Sequence, residues 1–159
     1  MSQLGAGPAA RAAIALPRET GRSGVEFVPV LAELPLFRNL SRRHLKRVAS
    51  LARMRRFAAG TPIVRAGDAG SAFYVLIDGG ARVVTPKGRA RKLGSGDCFG
   101  EMALLDDSPR SASVVAEGDV LTMTISRSAF GKLLRSEPAL SQELLRTLAA
   151  RLRSAEKTV

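Results

Sequence analysis

Between Phe99 and Val114 the sequence reads FGEMALLDDSPRSASV, placing a carboxylate directly after a glycine and an arginine nine positions beyond it. Gly100 has no Cβ, so a ligand can approach its backbone closely. The run Glu101 to Leu105 can form one or two helical turns whose first N–H groups have no partner inside the helix, and such a start attracts anions. Arg110 follows Pro109, which fixes its own φ. A guanidinium is the side chain best shaped to hold phosphate oxygens through two parallel charge-assisted hydrogen bonds. Glu101 would be repelled by a phosphate, so its natural role one ligand length away is to accept hydrogen bonds from a neutral hydroxyl. Together these residues specify a phosphorylated sugar: a nucleotide with one phosphate and an accessible ribose hydroxyl.

The segment resembles the phosphate-binding cassette of cyclic nucleotide-binding domains. That pattern runs from an aromatic or aliphatic residue through Gly-Glu, two or three apolar positions and a short variable loop to Arg, a small residue and Ala, then a strand. Phe99, Gly100, Glu101, Met102, Ala103, Leu104, Leu105, Pro109, Arg110, Ser111, Ala112 and Val114 fit it, and the resemblance extends over roughly Leu31 to Ala155. It implies that Glu101 holds the ribose 2′-hydroxyl and that the amides of Met102 and Ala103 help hold the cyclic phosphate. Arg110 becomes the counter-charge, and Ser111 contacts phosphate or purine. A serine at 111 leans towards cAMP, with cGMP the other candidate. The paired hydroxyl residues that bacterial transcription factors of this family carry in the last helix fall here at Ala155 and Glu156.

The elements that must position these residues follow from periodicity. Residues 1–24 are rich in Ala, Gly, Pro and Arg without a sustained period and read as a mobile tail, with a brief helical turn around Arg11 to Leu16. The nucleotide-binding unit is expected over 25–159. Ser41 is an N-cap candidate, and Leu45, Val48, Ala49 and Leu51 recur at helical spacing, predicting a helix over 41–54. From 57 to 126 the pattern changes to six short β-like runs: Pro62 to Arg65, Phe73 to Asp78, Ala81 to Thr85, Ala90 to Leu93, Ala112 to Ala116 and Val120 to Ser126. Glycine or aspartate separates them, including Asp78-Gly79-Gly80 and Gly118-Asp119, as in a small antiparallel roll. Helical spacing returns over 128–136, capped by Ser126 or Ser128, and again over 138–156 from Pro138. There Leu140, Leu144, Leu145, Leu148 and Leu152 form an apolar stripe. The expected fold is α+β, an antiparallel β-roll or jelly-roll barrel flanked by an N-terminal helix and two C-terminal helices.

Composition narrows the alternatives. The 159 residues suit one domain, and 45% hydrophobic content supports a packed core, built mostly from aliphatic side chains because aromatics are 4% and tryptophan is absent. No apolar run approaches the length of a membrane span, and Ala9 to Leu16 is too short for the apolar region of a signal peptide, which points to the cytoplasm. One cysteine, Cys98, and one histidine, His44, exclude a disulfide framework and argue against a protein-built zinc site. No histidine lies near the cassette, Asp106 and Asp107 are adjacent loop carboxylates without an evident partner, and neither a cofactor nor an enzymatic activity is expected.

A net charge of +11 favours a second reading. In it the chain is a basic accessory protein on nucleic acid or an anionic surface, with a degenerate nucleotide pocket. Arginines and lysines gather at Arg42, Arg43, Lys46, Arg47, Arg53, Arg55 and Arg56 and again at Arg146, Arg151, Arg153 and Lys157. No helix-turn-helix follows, so specific DNA binding is not expected. The primary reading is a regulatory module that binds cAMP, repositions its last helix and offers a changed surface to a protein effector. Little sequence follows the last stripe for a coiled coil, so a monomer or weak homodimer is expected.

Overall fold

The computed structural model describes residues 16–21 and 24–157. Most of the tail expected over 1–24, including Arg11 to Ala15 of its helical turn, lies outside the described residues. A 3-10 turn at Val25–Phe27 leads into helix α1 (Val28–Ala32), and α2 follows at Arg42–Ala49. Six strands come next: β1 (Arg53–Phe57), β2 (Pro62–Val64), β3 (Ala72–Val84), β4 (Ala90–Leu93), β5 (Cys98–Phe99) and β6 (Ser113–Ser126). A 3-10 turn at Glu101–Leu104 sits between β5 and β6, and helices α3 (Arg127–Ser136) and α4 (Pro138–Lys157) complete the chain.

The strands form one antiparallel sheet ordered β1-β6-β3-β4, with β2 also on β6 and β5 also on β3. The expected roll is therefore present, but its sheet does not close into a barrel. Two long strands, β3 and β6, replace the four short ones read from the sequence. Asp78-Gly79-Gly80 and Gly118-Asp119 are bulges facing each other rather than hairpin turns. Between Leu76 and Gly80 the register slips twice, pairing Leu76 with Thr122, Asp78 with Leu121 and Gly80 with Glu117. Gly79, at φ 88°, allows this: a Cβ there would lie 2.4 Å from the carbonyl oxygen of Asp119. Bulges re-aim side chains, and here the aim of β3 changes. Before the bulge both faces of β3 are covered. Phe73, Val75 and Ile77 pack with the helices, while Tyr74 and Leu76 point into the roll. Beyond it only one face is covered, so Ala81 and Val83 are buried and Arg82 is exposed.

The apolar interior is accordingly split. One cluster joins the helices to the outer face of β3 and β6 around Phe27, Phe37, Phe73 and Phe130, with the rings of Phe37 and Phe130 5.8 Å apart. The other fills the roll around Ile63, Tyr74, Leu76, Val83, Phe99 and Val114.

Two expectations shift at the helix–strand border. The helix expected over 41–54 ends at Ala49, and Arg53 and Met54 belong to β1, whose five residues pair with Val120 to Thr124 of β6. The strand region thus begins at Arg53, not Phe57. Ser41 does cap α2, its hydroxyl accepting the His44 N–H at 3.2 Å, and Ser126 rather than Ser128 caps α3, accepting the Ala129 N–H at 3.1 Å.

Helix α4 is docked at one end. Leu140 and Leu144 are buried and Leu148 packs partly on the same cluster, whereas Leu145 and Leu152 of the expected stripe are 59% and 62% exposed. Polar contacts pin it to α2. Glu143 accepts hydrogen bonds from His44 Nδ1 at 2.8 Å and from the Ser41 amide at 3.1 Å. The His44 bond, helped by the Ser41 amide and the nearby charges, holds the Glu143 carboxyl below its usual range. A depressed carboxyl contributes stability above the ordinary glutamate value near pH ~4.3 and loses it as pH falls through the lower folded value. Replacing Glu143 with Gln is expected to lower stability at neutral pH by about 1 kcal/mol, reduced by partial solvent exposure. Thermal melts of the variant and the parent should converge once the pH is below that window.

Candidate functional site

The cassette residues are held by loop pairing. The Gly67 N–H donates to the Arg110 carbonyl at 2.9 Å, the Arg110 N–H donates to the Asp68 carbonyl at 2.8 Å, and Ala69 bridges Pro109. The loop before β3 and the loop before β6 therefore fix the backbone on both sides of Arg110. Its side chain turns inward, and Nη2 donates to the Ala72 carbonyl at 2.6 Å. Gly100 makes room for it, because a Cβ at that position would lie 2.4 Å from Arg110 Nη1 and 2.9 Å from the Ala72 oxygen. The glycine that the sequence supplied for close ligand approach serves first to seat the arginine.

The guanidinium also lies 6.0 Å from the centre of the Tyr74 ring, which stacks on Phe99 at 5.0 Å and meets Phe57 edge-on at 6.2 Å. Burial lowers the Arg110 pKa from its usual value, with Tyr74 acting in the opposite direction. Among the described residues no carboxylate pairs with Arg110, and its buried Nε has no hydrogen-bond partner. A desolvated cation without a counter-charge is costly, and an anion beside it would remove that cost.

A cavity of about 580 Å³ opens against this group. Of the sequence-derived candidates, Phe99, Gly100, Ala103, Arg110 and Ser111 line it. Its apolar wall is made by Val64, Val83, Ala90, Ala112 and Val114, and Arg89, Arg91 and Asp106 add charged groups to the lining. Such a space, apolar with a few convergent polar groups, is what a small organic ligand requires. Sequence reasoning missed the wall. The alternation of Val83 with Thr85 and of Ala112 with Val114 carries its signal, but nothing local indicates that the β3–β4 hairpin brings Arg89 and Arg91 to the cavity.

Glu101 and Met102 are not on the cavity wall. Residues 101–104 form a single 3-10 turn, tighter than the α-helical turns the sequence suggested, and the Ala103 amide donates to the Gly100 carbonyl at 3.0 Å. Glu101 is buried, and its Oε2 accepts the Leu36 N–H at 3.3 Å. The cassette carboxylate thus reaches the segment between α1 and α2. The chemistry assembled here is recognition: one half-buried cation, one anionic acceptor in the cassette turn, and a largely apolar space between strands.

Comparison with known proteins identifies the family and the fold. The family model described as the cyclic nucleotide-binding domain matches residues 54–137, more than half of the chain. The cAMP-dependent protein kinase regulatory subunit of Hypocrea atroviridis is 36% identical over 104 residues, covering 65% of this chain and 22% of that protein. The chain therefore spans far less than the full length of this curated relative. The crystal structure of the N-terminal domain of a transcriptional regulator from Streptomyces coelicolor superposes with a TM-score of 0.67 at 27% identity, covering 81% of this chain and 94% of that one. The regulatory domain of Toxoplasma gondii PKA, solved with cAMP, gives a TM-score of 0.58 at 28% identity, covering 81% and 50% of the two chains.

Proposed function

Because this chain belongs to the cyclic nucleotide-binding domain family, we propose that it is a cytoplasmic, non-enzymatic receptor that binds cAMP in preference to cGMP and signals to a protein effector through α4. The observation that carries the reading is the inward, carboxylate-free guanidinium of Arg110 at the head of an apolar cavity. The cyclic phosphate meets Arg110, and the purine lies against the wall of Val64, Val83 and Val114. Ser111, on the wall beside Arg110, offers a hydroxyl to phosphate or base.

Glu101 links the ligand to the helices. Its carboxylate has several acceptor positions, so a ribose 2′-hydroxyl in reach would share or compete for the group that now takes the Leu36 N–H. A shift of Leu36 is transmitted to the helical cluster that also receives Leu140 and Leu144 of α4. Binding energy that differs between two arrangements of α4 is all that a population shift needs. The half-docked apolar stripe leaves α4 little burial to lose at its far end on moving, while the Glu143 contacts to α2 are what such a motion has to break or carry along.

Direct calorimetric titration with cAMP and cGMP tests the reading, and saturable cAMP binding with weaker cGMP binding is expected. Glu101→Gln keeps an acceptor for the Leu36 N–H and should weaken cAMP by about tenfold, as for one hydrogen bond to a charged group. It should weaken 2′-deoxy-cAMP far less. Equal losses for both ligands would make Glu101 a purely architectural residue. Changed amide exchange in α4 on adding saturating cAMP checks the helix motion separately.

A further inference from the structure

A second cavity, of about 640 Å³, lies between the strands and α3, with Ala72 and Tyr74 among its lining residues. It shares no lining residue with the cavity at Arg110. Three arginines reach it: Arg55 from β1, and Arg127 and Arg135 from α3. No aspartate or glutamate among the described residues lines it. Arg127 makes no ion pair among the described residues, and its buried Nε has no hydrogen-bond partner there. Its own N–H donates to the Ser71 carbonyl at 2.8 Å, which fixes the start of α3 against the loop before β3. Arg55 is oriented by the Phe57 ring, 4.7 Å below its guanidinium. Arg135 folds back along α3 towards Gly131, where a Cβ would lie in ordinary contact, 3.5 Å from Arg135 Nη1.

Like-charged groups converging on one concave space raise its positive potential, and partial exclusion of water strengthens that field. Guanidinium groups suit phosphate oxygens in particular. Leu104, Leu105 and Leu134 supply an apolar end to the same space. We propose that this cavity is a second binding site, for a phosphorylated small molecule carrying at least two negative charges, held by Arg127 and Arg135 with Arg55 at the edge. The site stands apart from cyclic nucleotide recognition. It also touches the cassette turn through Leu104, and Ala72 on its wall carries the carbonyl that accepts Arg110, so an occupant would be felt at that arginine.

The test is a titration of the full chain with inorganic pyrophosphate, followed residue by residue through backbone amide NMR shifts. Saturable shifts at Ser71, Ser128 and Gly131 are expected. The double variant Arg127→Gln with Arg135→Gln should weaken that binding at least tenfold, and Arg135→Gln alone, on the exposed side of α3, at least threefold. Both variants should titrate with cAMP like the parent. Shifts confined to Gly100 and Ser111, shifts that fail to saturate, or equal pyrophosphate affinity in parent and Arg135→Gln would overturn the proposal. Because the two cavities report on different amides, failure here and failure of cAMP binding are read separately.

Discussion

Replacing Arg110 with Gln is expected to lower cAMP affinity by about two to three orders of magnitude, the range for removing one partner of a buried charge pair. The fold should survive this change. Arg110 contributes one hydrogen bond to the Ala72 carbonyl, while its half-buried, carboxylate-free position costs desolvation, so the bond lost and the desolvation relieved offset each other. Calorimetry should therefore show binding lost with an unliganded melting temperature close to that of the parent. A variant that binds cAMP within threefold of the parent would remove Arg110 from the ligand site. One that does not fold would make the guanidinium a structural group instead.

The largest effect on stability is expected at the bulge. Gly79→Ala places a methyl group 2.4 Å from the Asp119 carbonyl oxygen, and backbone on the paired strand cannot swing away as a side chain would. The left-handed backbone adds about 1–2 kcal/mol. A loss above about 3 kcal/mol is expected, which for a chain of this size lowers the melting temperature by roughly 10 °C. Gly118→Ala is the control. Its φ is 83°, but a Cβ there meets nothing within 4 Å, so only the conformational cost should appear. Equal melting temperatures for the two variants would mean that the bulge can relax and that the close approach is not what fixes the register.

These two residues also mark what could be read from the sequence. Arg110 was legible because its chemistry depends on types and spacing: Gly100, Pro109 and Ser111 stand near it in sequence as they do in space. Gly79 was legible as a special backbone position but not as a bulge. A glycine-aspartate cluster looks the same whether the chain reverses or continues, and only the pairing of β3 with β6 decides. Strand β1 was hidden for a related reason. Arg53, Met54, Arg55, Arg56 and Phe57 show no apolar alternation, and their extended form comes from pairing with β6. Five residues including Pro29 are too few to announce α1 by periodicity, and the same holds for the two residues of β5. At the site, spacing gathered Phe99, Gly100, Ala103, Arg110 and Ser111 around one cavity. It did not show that the Glu101 carboxylate engages Leu36, because that contact spans 65 positions and depends on how the helical layer lies on the turn.

The two apolar clusters lie back to back on β3, one under the helices and one inside the roll. Loosening the first does not require opening the second, since no side chain of that strand serves both. The helix motion proposed above would therefore disturb the helical compartment alone and leave the strands that enclose the ligand space in register.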